Sequence, residues 1–385
     1  MEKKAYLFSL ALACVFMLLA KPSPAKADAE IDFYGYIRLD SVYNTSRLSS
    51  PITPLYAKAI EDGGSKEGTL YMNPRLSGVG LRAKGPNPTG FESFELGARM
   101  EIDFHNGGRD SRQLIRMRHA YAFLKMGQFQ ILFGQTWHTV SRLYPAGATT
   151  SLIWMGGNTG DRAPQVRLTL SDSNKRANFQ IDASIHMQNA VDSGDSDGDA
   201  ILNGPQASFP GLQGRAALGV KLWSKQELKL AFGAHAGMGR YKLDAVDKDV
   251  TSFGLFLEVV LPIYDGYFIQ GEMYKGSNVS DLRGGSGQGI STAGEEIESM
   301  GYWVELVALP TSWLKLSLGT GEDNPDNSVL DSGARTLNQT VWGLIHVRPW
   351  KNFRVGFEWT HFQTSFVGSK KVSAEHVVSH LTYYF

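Results

Sequence analysis

The final twelve residues, AEHVVSHLTYYF (374–385), read as a strand and stop on an aromatic. Successive side chains of a strand point to opposite faces. Val377, Ser379, Leu381, Tyr383 and Phe385 therefore share one face, and His376, Val378, His380, Thr382 and Tyr384 the other. A strand this apolar at a free sheet edge is an aggregation hazard, and closing a sheet into a barrel removes its edges. The same two-residue period runs along the chain. Ile31, Phe33, Ile37 and Leu39 oppose Asp32, Tyr34, Tyr36, Arg38 and Asp40. Leu96, Ala98, Met100 and Ile102 oppose Glu95, Arg99, Glu101 and Asp103. Phe179, Ile181, Ala183 and Ile185 oppose Gln180, Asp182, Ser184 and His186. Val166, Leu168 and Leu170, Phe253 to Leu261, and Val355, Phe357 and Trp359 form further apolar faces.

Periodicity alone does not say what the two faces meet. In a soluble sandwich the charged face meets bulk water; in a membrane barrel the apolar face meets lipid and the charged face lines a lumen. The N-terminus favours the barrel. Lys3 and Lys4 precede the apolar run Ala5 to Ala20, and Ala25-Lys26-Ala27 offers a small-x-small cleavage site, the pattern of a secretory signal. Residues 1–27 are expected to be a cleaved signal peptide, with Asp28 as the first mature residue and Glu30 as a shifted alternative. The run is short for a spanning helix, which needs about 20 residues, and Pro22 and Pro24 follow it. Cys14 sits inside the apolar core rather than after it, so it reads as a packing residue of the signal, not a lipid anchor. A soluble sandwich of this length would be expected to split into two domains, and no linker is visible; residues 28–385 read as one barrel domain. The terminal Phe385 resembles the insertion signature of bacterial outer-membrane barrels.

Removal of residues 1–27 takes away Lys3, Lys4, Lys21, Lys26 and Glu2, leaving 34 basic and 37 acidic groups, or −3. That balance carries no electrostatic footprint for nucleic acid. No cysteine follows Cys14, which excludes disulfides, Cys-ligated metals and C-x-x-C-H haem attachment within the mature chain. The 42 glycines, 8 Trp, 15 Tyr and 20 Phe suit a wall that is apolar outside and polar inside. Tyr34, Trp137, Trp223, Tyr264, Tyr267, Trp313, Trp350, Tyr383 and Tyr384 lie near strand ends, as interfacial girdles do.

Connections alternate in length. Short turns fall at 85–90, 127–128, 172–177, 224–227, 262–266, 309–312 and 349–352. Long polar segments fall at 44–73, 105–113, 138–163, 189–213, 241–250, 276–297, 321–337 and 365–373. Seven turns and eight loops predict an all-β fold, a transmembrane antiparallel β-barrel of about sixteen strands with short periplasmic turns and long extracellular loops. A barrel of that size encloses an aqueous channel.

Arg82, Arg99, Arg116, Arg118 and Arg167 fall on polar faces of the second, third, fourth and sixth strands and are expected to cluster on one wall, with Glu95, Glu101 and Asp103 mixed among them. Arg116 and Arg118 have no acid on their own strand. Arginine rings favour anions in pores, although half-buried arginines are commonly paired. The third long loop, 138–163, holds the run Leu152-Ile153-Trp154-Met155, which is ill suited to water. An inward fold would bring Tyr144, Trp154, Met155, Asn158, Asp161 and Arg162 near the basic wall as a constriction. Asp192, Asp195, Asp197 and Asp199 lack the glycine and terminal Glu of an EF-hand, so a solvated acidic loop is expected. No nucleophile elbow, zinc motif or phosphate loop is present; His105, His119, His138, His186 and His235 are scattered and read as structural, and no cofactor is expected.

The segments FYGYIRLDSVY (33–43), NPRLSGVGLRAKG (73–85), FELGARMEIDF (94–104), RMRHAYAFLKMGQFQILFGQTW (116–137) and GDRAPQVRLTL (160–170) resemble the DcaP-like trimeric porins of Gram-negative bacteria. The likeness is dense up to residue 170 and weak beyond it, apart from the terminal strand. It implies a sixteen-stranded homotrimeric outer-membrane channel with dicarboxylate-type anions as solutes, and it carries over Arg82, Arg99, Arg116 and Arg118. The first strand starts almost at the expected cleavage site, leaving no room for the N-terminal coiled coil of some members; the barrel wall would have to supply the trimer interface. The expected function is passive diffusion of small hydrophilic solutes with a lean towards anions. Two other readings stay open: an outer-membrane barrel hydrolase, and a barrel sheathing a periplasmic redox partner.

Overall fold

Alternation of apolar and polar residues is the local cause of every long element in this chain. The computed structural model describes residues 29–59, 68–85, 93–109, 112–188, 203–206, 208–243 and 246–385. The expected signal segment 1–27, the acidic stretch 192–199 and most of the turn 85–90 lie outside the described residues. Sixteen antiparallel strands make up the main sheet of the described residues, beside a two-residue ribbon of Gly108–Arg109 with Arg112–Gln113. They are β1 (Glu30–Asn44), β2 (in two halves, Thr69–Asn73 and Gly78–Lys84), β3 (Phe94–Asp103), β4 (Arg116–Met126), β5 (Phe129–Trp137), β6 (Arg162–Ser173), β7 (Ala177–His186) and β8 (Gly211–Val220). β9 (Leu228–Leu243), β10 (Val246–Tyr264), β11 (Tyr267–Ser277), β12 (Glu298–Thr311), β13 (Leu314–Pro325), β14 (Arg335–Trp350), β15 (Phe353–Phe366) and β16 (Ser369–Tyr384) follow.

Each strand pairs with the next, and β1 pairs with β16 in register from Tyr36 opposite Tyr384 to Asn44 opposite His376. The sheet is a closed barrel. Phe385 completes the seam, since Gly35 N donates to Phe385 O and Phe385 N to Gly35 O, both at 3.1 Å.

The outward face is apolar and uncovered: Phe33, Phe129, Leu168, Ile181, Leu255, Leu306 and Leu381 are all exposed. The inward face is polar yet buried, as with Arg38, Asp40, Glu101, Asp182, Glu305 and His380. A soluble protein shows the reverse distribution. Trp223, Tyr264, Tyr267, Trp313, Trp350 and Tyr383 are exposed around the end that carries the short turns. Three residues of the expected girdle project inside instead: Tyr34 bonds to Arg99 and Glu101, Trp137 packs on Tyr144, and the Tyr384 ring lies 5.9 Å from that of Tyr36.

Two expected long loops are tight. β9 and β10 continue as a paired ribbon to Leu243 opposite Val246, through most of 241–250. The segment 365–373 collapses to a two-residue connection between Phe366 and Ser369. β2 breaks at Pro74, which has no N–H for a ladder. There the Ser77 hydroxyl patches the gap, accepting from Arg38 N at 3.0 Å and donating to Arg38 O at 3.2 Å. Between β3 and β4 the register skips one residue, Glu101 facing His119 and Ile102 facing Met117. This is a β-bulge, and it turns the neighbours Arg118 and His119 to the lumen together.

Candidate pore constriction

The loop between Trp137 and Arg162 runs inside the barrel. Its apolar residues are what put it there. Val140 packs with Phe256, Tyr274, Val279 and Leu282, and Ala148 and Ile153 pack with Trp303 and Trp342. The run Leu152–Met155 thus turns partly towards an aromatic patch of the wall, which removes the objection to an apolar loop in a wet lumen. Gly157 lies so close to β12 that a Cβ would stand 2.0 Å from Tyr302 O.

Four carboxylates hold the loop against β10 to β15. Ser141 Oγ donates to Glu272, and Arg142 N donates to Glu258 Oε1 at 3.2 Å. Ala146 N and Gly147 N donate to the two oxygens of Glu305 at 2.7 and 2.8 Å. Thr149 donates to Glu358 through its N at 2.7 Å and its Oγ1 at 2.5 Å. Each of these acids is at most 3% exposed. Three of them are lone carboxylates in otherwise apolar strand sequence, FLEVV, WVELV and GFEWT, a signal that could have marked them. The loop between β11 and β12 closes over the far side: Gly160 N donates to Leu282 O at 2.7 Å, and Arg283 Nη2 bonds Asp161 Oδ2 at 3.1 Å.

The basic wall stands on β2 to β4. Arg116 grips Asp103 bidentately, at 2.9 and 2.6 Å. Arg118 bridges Glu101 at 2.8 Å and Asp103 at 2.9 Å. Arg99 donates to Glu101 Oε2 at 2.6 Å and to Tyr34 Oη at 2.7 Å. These three arginines share two acids, and the acids lie behind them: the Asp103 side chain is 0% exposed and Glu101 10%, against 28% for Arg99, 26% for Arg116 and 20% for Arg118. Arg82, opposite Arg99 in the ladder, is more open, 3.6 Å from Asp32 and stacked 4.1 Å over Tyr34.

The other expected positions divide. Arg162 stacks 4.1 Å over Trp137 and sits 3.4 Å from Asp161. Tyr144 and Trp154 flank the same Trp137 ring at 4.6 and 6.4 Å, so this aromatic post joins loop and wall. Asn158 is buried and donates to Leu152 O. Arg167 does not join the cluster; it is buried and donates to Trp137 O and Gln165 Oε1. Six cations (Arg82, Arg99, Arg116, Arg118, Arg162, Arg283) face four acids (Asp32, Glu101, Asp103, Asp161) in this set of pairs, a surplus of two positive charges.

No protein-family model and no curated protein matches the chain. Solved structures do. The outer membrane channel DcaP of Acinetobacter baumannii is similar at a TM-score of 0.71 and 20% identity, covering 93% of this chain and 97% of that one. An anion-selective porin from Comamonas acidovorans is similar at a TM-score of 0.57 and 12% identity, covering 93% and 100%. The trimer form of OmpT, an outer membrane protein of Vibrio cholerae, is similar at a TM-score of 0.55 and 15% identity, covering 93% and 99%. The chain has the fold of these outer-membrane barrels.

Proposed function

We propose that this chain is an outer-membrane porin, related to the DcaP-like channels, that passes small hydrophilic solutes and prefers anions such as dicarboxylates. One observation carries the preference: on the basic wall the acids are buried behind the arginines that outnumber them, so the surface offered to solute is guanidinium. The acids on the opposite side face away from water as well, since Glu272, Glu305 and Glu358 are capped by the loop and Glu258 is also held by Arg215 at 2.7 Å.

A dianion arriving at Arg99, Arg116 and Arg118 would exchange part of its hydration for charge-assisted hydrogen bonds from fixed forks. Binding must stay weak for the solute to leave, and the existing ion pairs provide that restraint by occupying much of each fork. The loop from His138 to Asp161 acts as the constriction, with Tyr144, Trp154, Asp161 and Arg162 at its basic edge. Assembly is as a homotrimer through the lipid-facing wall, the form in which the Vibrio protein is described.

The test is a planar-bilayer recording of purified trimer in a potassium chloride gradient. An anion-directed reversal potential that falls towards zero as malonate or succinate occupies the pore supports the reading. A cation-directed potential overturns the anion preference, and a barrel that conducts nothing overturns the porin assignment.

A further inference from the structure

His346 on β14, Glu358 on β15 and His380 on β16 bring three ligand atoms together on the lumen wall. Nε2 of His346 and Nε2 of His380 are 3.0 Å apart, and they lie 3.3 and 3.2 Å from Glu358 Oε1. The side chains are 5%, 0% and 2% exposed. The geometry points to a divalent transition-metal site, of zinc type, at this triad, a role separate from solute passage.

The triangle itself is the first argument. Ligands about 2.0–2.1 Å from a tetrahedral zinc stand roughly 3.3 Å apart along each edge of the tetrahedron, close to all three separations here. Two neutral imidazoles and one carboxylate form a ligand set that zinc accepts, with a fourth position left for water.

With Glu358 ionised and both rings neutral, hydrogen bonding alone leaves one pair of this triangle opposed. If both Nε2 atoms carry hydrogens for Glu358, two N–H groups oppose each other at 3.0 Å. If only one does, the other ring's lone pair faces the carboxylate oxygen. A cation at the centre serves all three lone pairs.

The charge balance agrees. Glu358 is 1% exposed, and among the described residues no lysine or arginine hydrogen-bonds to it; its partners are Thr149 and the two rings. Arg38, Lys315 and Arg354 act on Glu358 only through space, and Arg38 is engaged by Asp40 at 2.6 Å and Thr149 at 3.1 Å. Buried carboxylates are ordinarily paired with a cation or a metal.

The backbone makes room for the cluster. Gly356 lies between the two histidines in the ladder, opposite His346 on one side and His380 on the other. A Cβ there would stand 2.0 Å from His380 Nε2 and 2.7 Å from His346 Cδ2. The His380 ring is oriented from behind by Thr382 Oγ1, 3.3 Å from Nδ1. Metal-binding histidines ordinarily have such an outer partner. Because Glu358 also holds Thr149, a metal here would brace the tip of the inward loop.

The test uses full-length trimer stripped with chelator and returned to Co²⁺ or Zn²⁺ alone. One Co²⁺ per chain with the intense visible bands of a four-coordinate ion, displaced by Zn²⁺, is expected. His346→Gln and His380→Gln should each lower Zn²⁺ affinity by about 100-fold or more, since losing even an outer-shell partner costs 10–100-fold. Gly356→Ala keeps every ligand and should weaken binding by displacing the ring. Heat-modifiable migration on gels checks that each variant is folded. Folded wild-type protein that takes up no metal would show a plain hydrogen-bonded triad and overturn the proposal. Uptake unchanged in the His346→Gln/His380→Gln variant would overturn it too, placing the ion elsewhere, for instance at His138, His186 and His235, whose rings lie 5.1 and 5.4 Å apart.

Discussion

Arg116 and Arg118 show how far one residue type can be read from its position. Period two places both on the lumen face, and the sequence shows no acid on their strand. Their partners come from the neighbouring strand, because cross-strand neighbours depend on register and a bulge shifts it here. The pairing changes what the arginines do: they present N–H groups outward while screening Asp103 and Glu101. Arg116→Ala/Arg118→Ala should therefore shift the reversal potential towards cations for two reasons, loss of two cations and exposure of two acids. Dicarboxylate flux should fall in the same recording. If ion preference survives in this variant but changes in Asp161→Asn, selectivity lies in the loop. A smaller residue matters as much at the seam. A Cβ on Gly35 would meet the Phe385 ring at 2.6 Å, so Gly35→Val should slow or prevent closure, read as loss of the heat-modifiable band. Folding at the normal rate would show that the Phe385 ring needs no seat.

Among elements, the strands were readable and the loops only in part. Alternation recovered the facing of β1, β3, β7 and β16 because lipid and lumen impose opposite preferences on adjacent residues. The same rule fails beyond the membrane, where β9 and β10 continue as a polar ribbon that looks like loop. Facing has a direct test. Ile181 is 50% exposed on the outside, and Ile181→Arg should cost roughly 2–4 kcal/mol if near the bilayer midplane. Thr169 donates to Asp182 inside the barrel at 2.6 Å, so Thr169→Arg should be tolerated and alter conductance. Equal tolerance of both, measured by urea unfolding in liposomes, would contradict the facing. Ser184 is a poorer choice than its polar face suggests, since Thr139 of the inward loop lies 2.7 Å from it. The loop's inward fold follows from its apolar run, but its docking side did not: the carboxylates that hold it are on β10 to β15. Glu305→Ala removes four hydrogen bonds to a charged acceptor, from Ala146 N, Gly147 N, Gln270 Nε2 and Trp342 Nε1, each worth about 1.5–3 kcal/mol. The variant should show larger and noisier conductance and faster proteolysis near Ala146. Unchanged traces would mean the apolar contacts of Ile153 with Trp303 and Trp342 suffice.

For the whole molecule, closure is the property on which every other depends. An open sheet in hydrocarbon leaves one row of backbone groups unpaired at each edge, at several kcal/mol per group. The seam between β1 and β16 is therefore where assembly either completes or fails, and it is joined by nine residue pairs from Tyr36–Tyr384 to Asn44–His376. Tyr383 and Phe385 face outward, while Tyr384 turns inward, its ring 5.9 Å from that of Tyr36 and within 5.4 Å of the Arg354 guanidinium. Deleting Tyr383–Phe385 would thus remove lipid-facing area, an inner aromatic contact and both hydrogen bonds between Gly35 and Phe385. β1 would then lose its β16-side partners over Gly35 to Ile37, while Gly35 and Tyr36 stay paired with Val79 and Gly78 of β2. The expected outcome is a chain that reaches the periplasm but neither inserts nor becomes heat-modifiable. Substituting Phe385→Ala alone separates the causes, because it keeps the backbone pairing and loses only the ring. Insertion by Phe385→Ala but not by the deletion would assign the barrier to unpaired backbone; failure of both would assign it to the aromatic. Normal insertion of the deletion would show that the barrel closes without its last three residues, against the edge argument itself.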